Sequence, residues 1–257
     1  MNWILLEPDE KLPEPNLYKL SGVKSDHIRS VLKRTTPGES FRAIVPGESQ
    51  GRIEIVYWEG NKVVVSYAIH EEMQKKKSLR FTLASPLPRP QTGKKLFHLA
   101  GAYGIDQIVF YVHSSKSREY LTSPVYRDNG HKEFHRSGMA QTGRNAKFQF
   151  LLIQYNVLTE NHFHSIPVEA PFHLIFHPYK FPSIRGYLTV LREEILQSNC
   201  KNLCIHLGSE SGWTEEEIIF FQKRSDSRIY SLTGPVLRSE YALNAILHEL
   251  EYIGGRD

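Results

Sequence analysis

The chain has 257 residues, 40% of them hydrophobic and 23% charged, with a formal net charge of +4 at pH 7. This composition supports one large domain or two smaller ones and excludes a wholly disordered chain. The basic balance suits a polyanionic partner without identifying it. Two cysteines, Cys200 and Cys204, are too few for a disulfide framework or a cysteine-rich zinc site. We expect Cys204, within an apolar run, to be a core thiol.

No segment resembles a membrane span, and the amino terminus shows none of the features of a secretory leader. Residues 1–7 lack both a basic start and a long apolar stretch. No apolar run elsewhere reaches the length that a membrane helix needs. We therefore expect a cytoplasmic protein that makes no membrane contact.

The first 72 residues have short, β-like patterns. Apolar runs at 41–45, 51–56 and 62–69 predict strands, separated by glycine-containing turns. One short helix is expected at 25–33. The pattern predicts a small β-barrel domain over residues 1–72, followed by a lysine-rich linker within 71–78.

From residue 73 to residue 257 strands and helices alternate, which is typical of a parallel α/β sheet. Thr214 and Glu217 have the spacing of a capping box, Thr92 and Ser183 are candidate caps, and Gly104 is a candidate helix stop. The sequence shows no internal repeat. Strands are expected at 80–85, 107–112, 172–176, 203–207 and 228–232, and helices at 92–103, within 131–160, and at 183–197, 214–224 and 239–253.

Two glycine-containing turns, at 207–213 and 232–240, each join a short apolar strand to a helix. Turns at the carboxyl ends of parallel strands lie together, where ligands bind. Glycine lets a ligand approach the main chain, and the first helical amides are free to donate. The first turn lacks the Gly-Lys-Ser/Thr of a P-loop, and the acidic Glu210 would repel phosphate. The turns therefore favour a nucleoside-like ligand without phosphates, although glycine turns also occur as purely structural devices.

The two turns and the segments around them resemble the carboxyl-terminal signature of the RsmE-type family of the SPOUT methyltransferase superfamily. Residues 208–212 stand where that family has Gly-Pro-Glu-Gly-Gly. Residues 232–242 stand where it has Leu-Gly-x-x-Ile/Val-Leu-Arg-Thr-Glu-Thr-Ala. Further similar segments are 27–38, 141–144 and 176–178, so the resemblance runs along the whole chain in order.

The resemblance implies a trefoil-knotted parallel-sheet domain preceded by a PUA-like RNA-binding barrel. It further implies a homodimer that uses S-adenosyl-L-methionine to methylate N3 of a uridine in 16S ribosomal RNA, with that RNA or the 30S subunit as partner. Glu210 would lie near the sulfonium. The expected cofactor-binding residues are Phe176, His177, Leu207, Gly208, Glu210, Gly212, Leu232, Gly234 and Leu237.

Methyl transfer to uridine N3 needs loss of the N3 proton and stabilisation of the resulting anion. Arg238 is the candidate for stabilising that anion, or else it pairs with a phosphate or carboxylate. Glu240 is the second candidate catalytic residue, although its position also suits charging the helix start. The histidines at 131, 135, 162 and 164 lack the other ligands of a metal site. The expected RNA-binding residues are Arg29, Lys33, Arg34 and Arg144.

Several positions depart from the family pattern, and they leave alternatives open. Ser209, Ser211 and Thr233 replace motif residues, and Ala102 and Ala140 stand where the family has carboxylates. One alternative is an RNA-binding or ribosome-assembly protein that keeps the fold without turnover. Another is a methyltransferase acting on a different RNA. A generic nucleotide-binding enzyme would require phosphate chemistry that the two turns lack.

Overall fold

The computed structural model describes residues 3–70, 79–112, 115–153, 172–232, 234 and 236–253. The predicted linker at 71–78, the histidines at 162 and 164, and Thr233 lie outside the described residues. In the described part, no helix combines the length and apolarity needed to cross a membrane.

The amino-terminal part forms a mixed five-stranded sheet with the order β1-β3-β4-β5-β2. All three predicted strands are confirmed; β1 and β2 were missed because so few residues carry no periodicity. A register shift between Ile55 and Tyr57 bends the long β4. The strands are β1 (Ile4–Leu5), β2 (Leu17–Lys19), β3 (Ser40–Val45), β4 (Ser49–Glu59) and β5 (Lys62–Ile69).

The helix of this part, α1, spans Gly22–Ser30 rather than 25–33. The Ser21 hydroxyl accepts a hydrogen bond from the Lys24 amide and so fixes the start. Beyond the helix, Lys33 has a left-handed backbone with φ of 53°, which a continuing helix does not allow. The predicted helix was therefore correct in kind and displaced by three residues.

The second sheet has six strands in the order β11-β9-β10-β6-β7-β8, and every neighbouring pair is parallel. This confirms the predicted parallel α/β sheet. Because β9, β10 and β11 are neighbours, the turns that follow them meet at one edge. The strands are β6 (Arg80–Pro86), β7 (Gln107–Tyr111), β8 (Gln149–Ile153), β9 (Phe172–His177), β10 (Asn202–Leu207) and β11 (Ser227–Ser231).

The helices around this sheet confirm two of the predicted end signals and correct two others. Thr214 and Glu217 form the capping box of α5, and Gly104 ends α2 with φ of 66°. Thr92 is not a cap, because α2 begins two residues earlier at Pro90; Ser183 precedes a 3-10 turn and its hydroxyl caps nothing. The helices are α2 (Pro90–Tyr103), α3 (His131–Thr142), α4 (Leu188–Gln197), α5 (Glu215–Gln222) and α6 (Ser239–Ile253).

The long helix expected within 131–160 is confirmed over His131–Thr142 and wrong over residues 143–153, while residues 154–160 lie outside the described part. Gly143, with φ of 81°, ends α3 in the left-handed conformation. The chain then forms the edge strand β8, whose Phe150 packs against Phe97 and Phe110. Alternating aromatic residues at 148 and 150 were the signal for a strand.

The larger core lies between the sheet and its helices, and close helix packing depends on two glycines. A Cβ at Gly101 would clash with the carbonyl oxygen of His135, and one at Gly138 with that of His98. Cys204 is buried and unbridged, as predicted. The two sheets are joined where the Trp3 ring lies against Gly143.

Candidate functional site

A pocket opens at the carboxyl ends of β9, β10 and β11. It is a cavity of about 80 Å³ whose mouth is open to solvent. Most of its lining is main chain and apolar side chain. The lining residues are Phe176, His177, Pro178, Leu207, Gly208, Ser209, Gly212, Trp213, Leu232, Leu237, Ser239 and Ala242.

The turn after β10 is held by its own hydroxyl groups. Ser209 Oγ lies 2.8 Å from Ser211 Oγ and donates to the Gly212 carbonyl at 2.8 Å. Gly212 has φ of 84°, a conformation that favours glycine. The two serines, which depart from the family motif, therefore supply hydrogen bonds that fix the turn.

Trp213 connects this turn to the neighbouring strand. Its indole Nε1 donates to the Phe176 carbonyl at 2.9 Å, and its ring packs edge-on against Phe221. A Cβ on Gly208 would lie only 3.2 Å from the Trp213 ring. The indole therefore forms part of the pocket wall, and Gly208 leaves room for the ring against the turn.

The pocket's remaining walls come from the chain after β9 and after β11. Leu232 and Leu237 line the pocket from the second turn, while Gly234 lies between them with φ of 106°. His177 lines it from the end of β9, and burial lowers the pKa of its imidazole. Ser231 N donates to the Pro182 carbonyl at 2.9 Å, which ties the two chain segments together.

The structure brings together most of the predicted cofactor-binding residues and leaves two outside the lining. Glu210 is exposed and pairs with Arg89 Nε at 3.1 Å. Gly234 is exposed within its turn. The predicted residues that do line the pocket are Phe176, His177, Leu207, Gly208, Gly212, Leu232 and Leu237.

The two predicted catalytic residues have different surroundings. Arg238 is exposed beside the lining residue Leu237. Glu240 is buried, and its Oε1 accepts a hydrogen bond from Lys95 Nζ at 2.8 Å. Burial alone would raise the pKa of Glu240, but the Lys95 hydrogen bond and the residue's own amide together lower it. Glu240 is thus held as a carboxylate that ties the start of α6 to α2.

The predicted RNA-binding residues lie on two separate surfaces. Arg29, Lys33 and Arg34 are exposed on the smaller sheet's side. The Arg29 guanidinium lies 4.3 Å from the centre of the Trp58 ring, and Arg34 pairs with Glu39 at 3.0 Å. Arg144 instead pairs with Glu251 and donates to the Tyr103 carbonyl at 3.2 Å.

The structure also shows lining residues and polar contacts that the sequence did not indicate. Ser239 and Ala242 reach the pocket from the first turn of α6, and Lys95 had no sequence signal because its partner is 145 residues away. On the sheet's other face, His173, Cys204 and His206 form a buried group within 4.8 Å of one another. His173 Nδ1 and His206 Nε2 are already hydrogen-bonded at 2.9 Å.

His131 and His135, two of the four histidines that lacked further metal ligands in the sequence, pack against aromatic rings. His131 lies among the rings of Phe97, Phe148 and Phe150. Burial lowers its pKa to about 4. His135 stacks on Phe148 with 4.0 Å between ring centres. The expectation that the protein binds no metal stays a prediction.

An all-parallel sheet with a pocket at the carboxyl edge of three adjacent strands defines an α/β protein with a candidate small-molecule site at its strand ends. Residues 75–251 match the model of the RNA methyltransferase domain family. The chain belongs to this family, which confirms the resemblance to RsmE-type enzymes. No curated protein sequence matches the chain.

Solved structures share the fold over almost the full length. The ribosomal RNA small subunit methyltransferase E from Neisseria gonorrhoeae, bound to S-adenosylmethionine, has a TM-score of 0.70 at 16% identity, covering 98% of each chain. A Legionella pneumophila protein in complex with the same cofactor has a TM-score of 0.64 at 20% identity, again covering 98% of each. A candidate rRNA methyltransferase from Porphyromonas gingivalis has a TM-score of 0.68 at 16% identity, covering 99% of this chain and 98% of that protein's chain.

Proposed function

We propose that the protein transfers a methyl group from S-adenosyl-L-methionine to N3 of a uridine in 16S ribosomal RNA. The observation that carries the proposal is the main-chain pocket at the ends of β9, β10 and β11, in a chain of the RNA methyltransferase family. Two structural neighbours hold S-adenosylmethionine, which supports the choice of cofactor.

The pocket suits the chemistry of that cofactor. Leu207, Leu232 and Leu237 offer apolar contacts for an adenine ring, and the glycine at 208 leaves main-chain groups accessible. Glu210, on the turn after β10, is paired with Arg89 outside the pocket lining, and its carboxylate would have to leave that pair to complement the cationic sulfonium. Gly212 and Gly234 shape the turns by their positive φ values. The cofactor supplies an activated methyl group.

The protein's part in the reaction is orientation and charge stabilisation. With the cofactor bound, uridine N3 would gain the methyl group and lose its proton to water, and S-adenosylhomocysteine would leave. Arg238, exposed next to Leu237, would stabilise negative charge on the uracil oxygens. Glu240, paired with Lys95, would hold this turn in place through its charge rather than accept the proton.

The proposal includes the superfamily's architecture. Two separate cores support domains at 1–72 and 73–257, and the family match begins at residue 75. The curled mixed sheet supports a PUA-like barrel. A trefoil knot is supported by the family match, and the return of β11 to pair with β9 is compatible with it.

The macromolecular partners follow from the same family. We propose a homodimer that binds ribosomal RNA or the 30S subunit in the cytoplasm. Arg29, Lys33 and Arg34 would contact phosphates from the smaller sheet. Arg144, already paired with Glu251, would contribute less to RNA affinity.

A second candidate is an RNA-binding assembly protein without turnover, or a methyltransferase for another RNA. Ala102 is buried against α3, where its carbonyl accepts a hydrogen bond from Thr142. Neither Ala102 nor Ala140 supplies the carboxylate that the family motif has there. A loss of two carboxylates favours a change in catalysis or target.

Calorimetry with S-adenosylmethionine and S-adenosylhomocysteine tests the cofactor, and tritiated methyl transfer to 30S subunits and to free 16S RNA tests the reaction. We expect both compounds to bind and label to appear at a uridine N3. If neither compound binds, a methyltransferase that uses this cofactor is excluded. Binding without incorporation would favour the assembly role or another RNA.

A further inference from the structure

His177, the last residue of β9, and the five residues after it combine three kinds of nucleotide-binding group beside the pocket. We call residues 177–182 the β9 loop. His177 lines the pocket, and the Tyr179 side chain is 60% exposed although it is large and aromatic. Lys180 is exposed as well. Exposed aromatic and cationic side chains beside a pocket are what unpaired RNA bases and their phosphates contact.

The β9 loop is fixed in shape before any ligand binds. Phe181 N donates to Ser231 Oγ at 3.2 Å, and Ser231 N donates to the Pro182 carbonyl at 2.9 Å. Lys180 has φ of 85°, an unfavourable value for a lysine that persists only where the surroundings impose it. Two hydrogen bonds to the end of β11 therefore hold the loop in a defined conformation over the strand ends.

Within this loop the proton of His177 has a defined position. Its Nδ1 accepts a hydrogen bond from the Tyr179 amide at 3.2 Å. A neutral imidazole whose Nδ1 is an acceptor must carry its proton on Nε2. Burial keeps the ring neutral by lowering its pKa. The polar group that His177 offers to a ligand is thus an Nε2–H donor.

The ring of Tyr179 is oriented by the same histidine. The two rings meet edge-to-face, with 5.4 Å between centres and 82° between planes. Phe181 packs on His177 in a similar way, at 5.5 Å. Contacts with these two aromatic rings restrict the imidazole, while much of the Tyr179 ring stays accessible for stacking.

We propose that the β9 loop binds the target pyrimidine nucleotide of the RNA. Tyr179 stacks on the base, His177 Nε2–H donates to a carbonyl oxygen of that base, and Lys180 contacts a neighbouring phosphate. This inference rests on the proposed function and assigns its substrate site. A neutral donor at the carbonyl would stabilise the charge that spreads there when N3 loses its proton.

Tyr179→Ala tests stacking, with Tyr179→Phe to retain the ring and Tyr187→Ala as a matched exposed tyrosine that does not line the pocket. We expect Tyr179→Ala to raise KM for RNA about tenfold while the Kd for S-adenosylmethionine and the Tm stay unchanged. Tyr179→Phe and Tyr187→Ala should behave as wild type. An unchanged KM, or an equal loss of cofactor affinity, would overturn the assignment.

His177→Phe and His177→Gln test the donor, because glutamine can donate from a similar position and phenylalanine cannot. We expect kcat to fall by about 100-fold in the phenylalanine variant and to recover in part with glutamine. Lys180→Gln should lower the slope of log RNA affinity against log salt by about 1, because one phosphate contact is lost. Lys201→Gln, at the opposite end of the strands, should leave it unchanged.

Photocrosslinking with 5-bromouridine-substituted RNA separates this inference from the proposed reaction, because it needs no turnover. We expect a crosslink at Tyr179 even if no methyl group is transferred, in which case the proposed reaction fails and the RNA site stands. Crosslinks confined to other residues would contradict the assignment. A smaller oligomer for Tyr179→Ala in light scattering would instead assign the ring to a contact between copies.

Discussion

The two sheets present ligands with different kinds of surface. At the carboxyl edge of the parallel sheet, the pocket is made of turns, glycines and apolar side chains. The smaller sheet offers long cationic side chains such as Arg29 and Lys33, which lie exposed in solvent. The first surface depends on backbone shape, and the second depends on charge. Substitutions that add volume should therefore affect the first, and substitutions that remove charge should affect the second.

The largest expected effect is on cofactor binding by Gly208→Val. A Cβ at this position would already lie 3.2 Å from the Trp213 ring and 3.3 Å from the Gly212 carbonyl carbon. The branched methyl groups of valine would enter the pocket or displace Trp213. We expect the affinity for S-adenosylmethionine, measured by calorimetry, to fall by more than about 100-fold, since a filled site excludes its ligand.

Gly186→Ala is the matched control, because a Cβ at Gly186 would meet no atom within 4 Å. It should bind the cofactor as wild type does. RNA affinity through the smaller sheet should survive in both variants. A Gly208→Val protein that still binds the cofactor normally would show that the pocket is not shaped by this glycine.

Acid should destabilise the larger sheet and its helices first, because the buried histidines of the described residues lie there. Burial lowers the pKa of His131 to about 4 and that of His206 well below 6.5. The unfolded chain takes up these protons near pH 6.5, whereas the folded protein takes them up only at lower pH, because its histidine pKa values are lower. The free energy of unfolding should thus be greatest above pH 6.5. As the pH drops below 6.5, it should decrease by up to about 1.4 kcal/mol per pH unit for each histidine.

Among the described residues, the core of the smaller sheet contains no buried histidine. Hydrogen exchange corrected for intrinsic rates should therefore show β9 and β10 losing protection between pH 7.5 and pH 5 before β4 and β5 do. His131→Phe, which suits the surrounding phenylalanine rings, should reduce the pH slope measured in urea. Earlier loss in the smaller sheet would contradict the assignment.

The sequence was a good guide to the larger elements of both sheets. Long strands such as β5 and helices such as α6 were predicted with their observed bounds, because periodicity over many residues is a strong signal. Strand β8 and the short β1 were missed. A five-residue strand after a polar helix resembles helix continuation until Gly143 is recognised as its end.

The site was predictable only in part, for a physical reason. Turn residues such as Gly208 and Leu232 could be predicted, because they lie between an apolar strand and a helix in the sequence. Lys95 has no local signal, because its role depends on Glu240, which is 145 residues away along the chain. The donor state of His177 depends on a main-chain hydrogen bond that no residue type specifies. Contacts between residues far apart in the chain, and hydrogen bonds to the main chain, leave no pattern in the local sequence.

A smaller effect is expected from Lys95→Met, which leaves the buried Glu240 carboxylate without its cationic partner. The pKa of Glu240 should rise, and the turn carrying Leu237 should be held less firmly. We expect a several-fold loss of cofactor affinity at pH 7.5, measured by calorimetry, with Lys95→Arg retaining most of it. Lys94→Met, which removes a neighbouring lysine that lies over the Phe134 ring, should retain wild-type affinity. Equal losses in both variants would argue against a specific role of the ion pair.

The smallest effects are expected on the smaller sheet, where each proposed phosphate contact should add a modest amount to RNA affinity. Lys33→Gln should lower the slope of log affinity against log salt by about 1, since one phosphate contact is lost. Arg34→Gln should change that slope less, because Glu39 already neutralises Arg34 at 3.0 Å and hydrogen bonds from the Thr36 amide, among others, lower the pKa of Glu39. Filter binding over a salt series measures both, and cofactor affinity should be unchanged in each. If Arg34→Gln has the larger effect, the ion pair must open on RNA binding, and the surface would then depend on rearrangement as well as on charge.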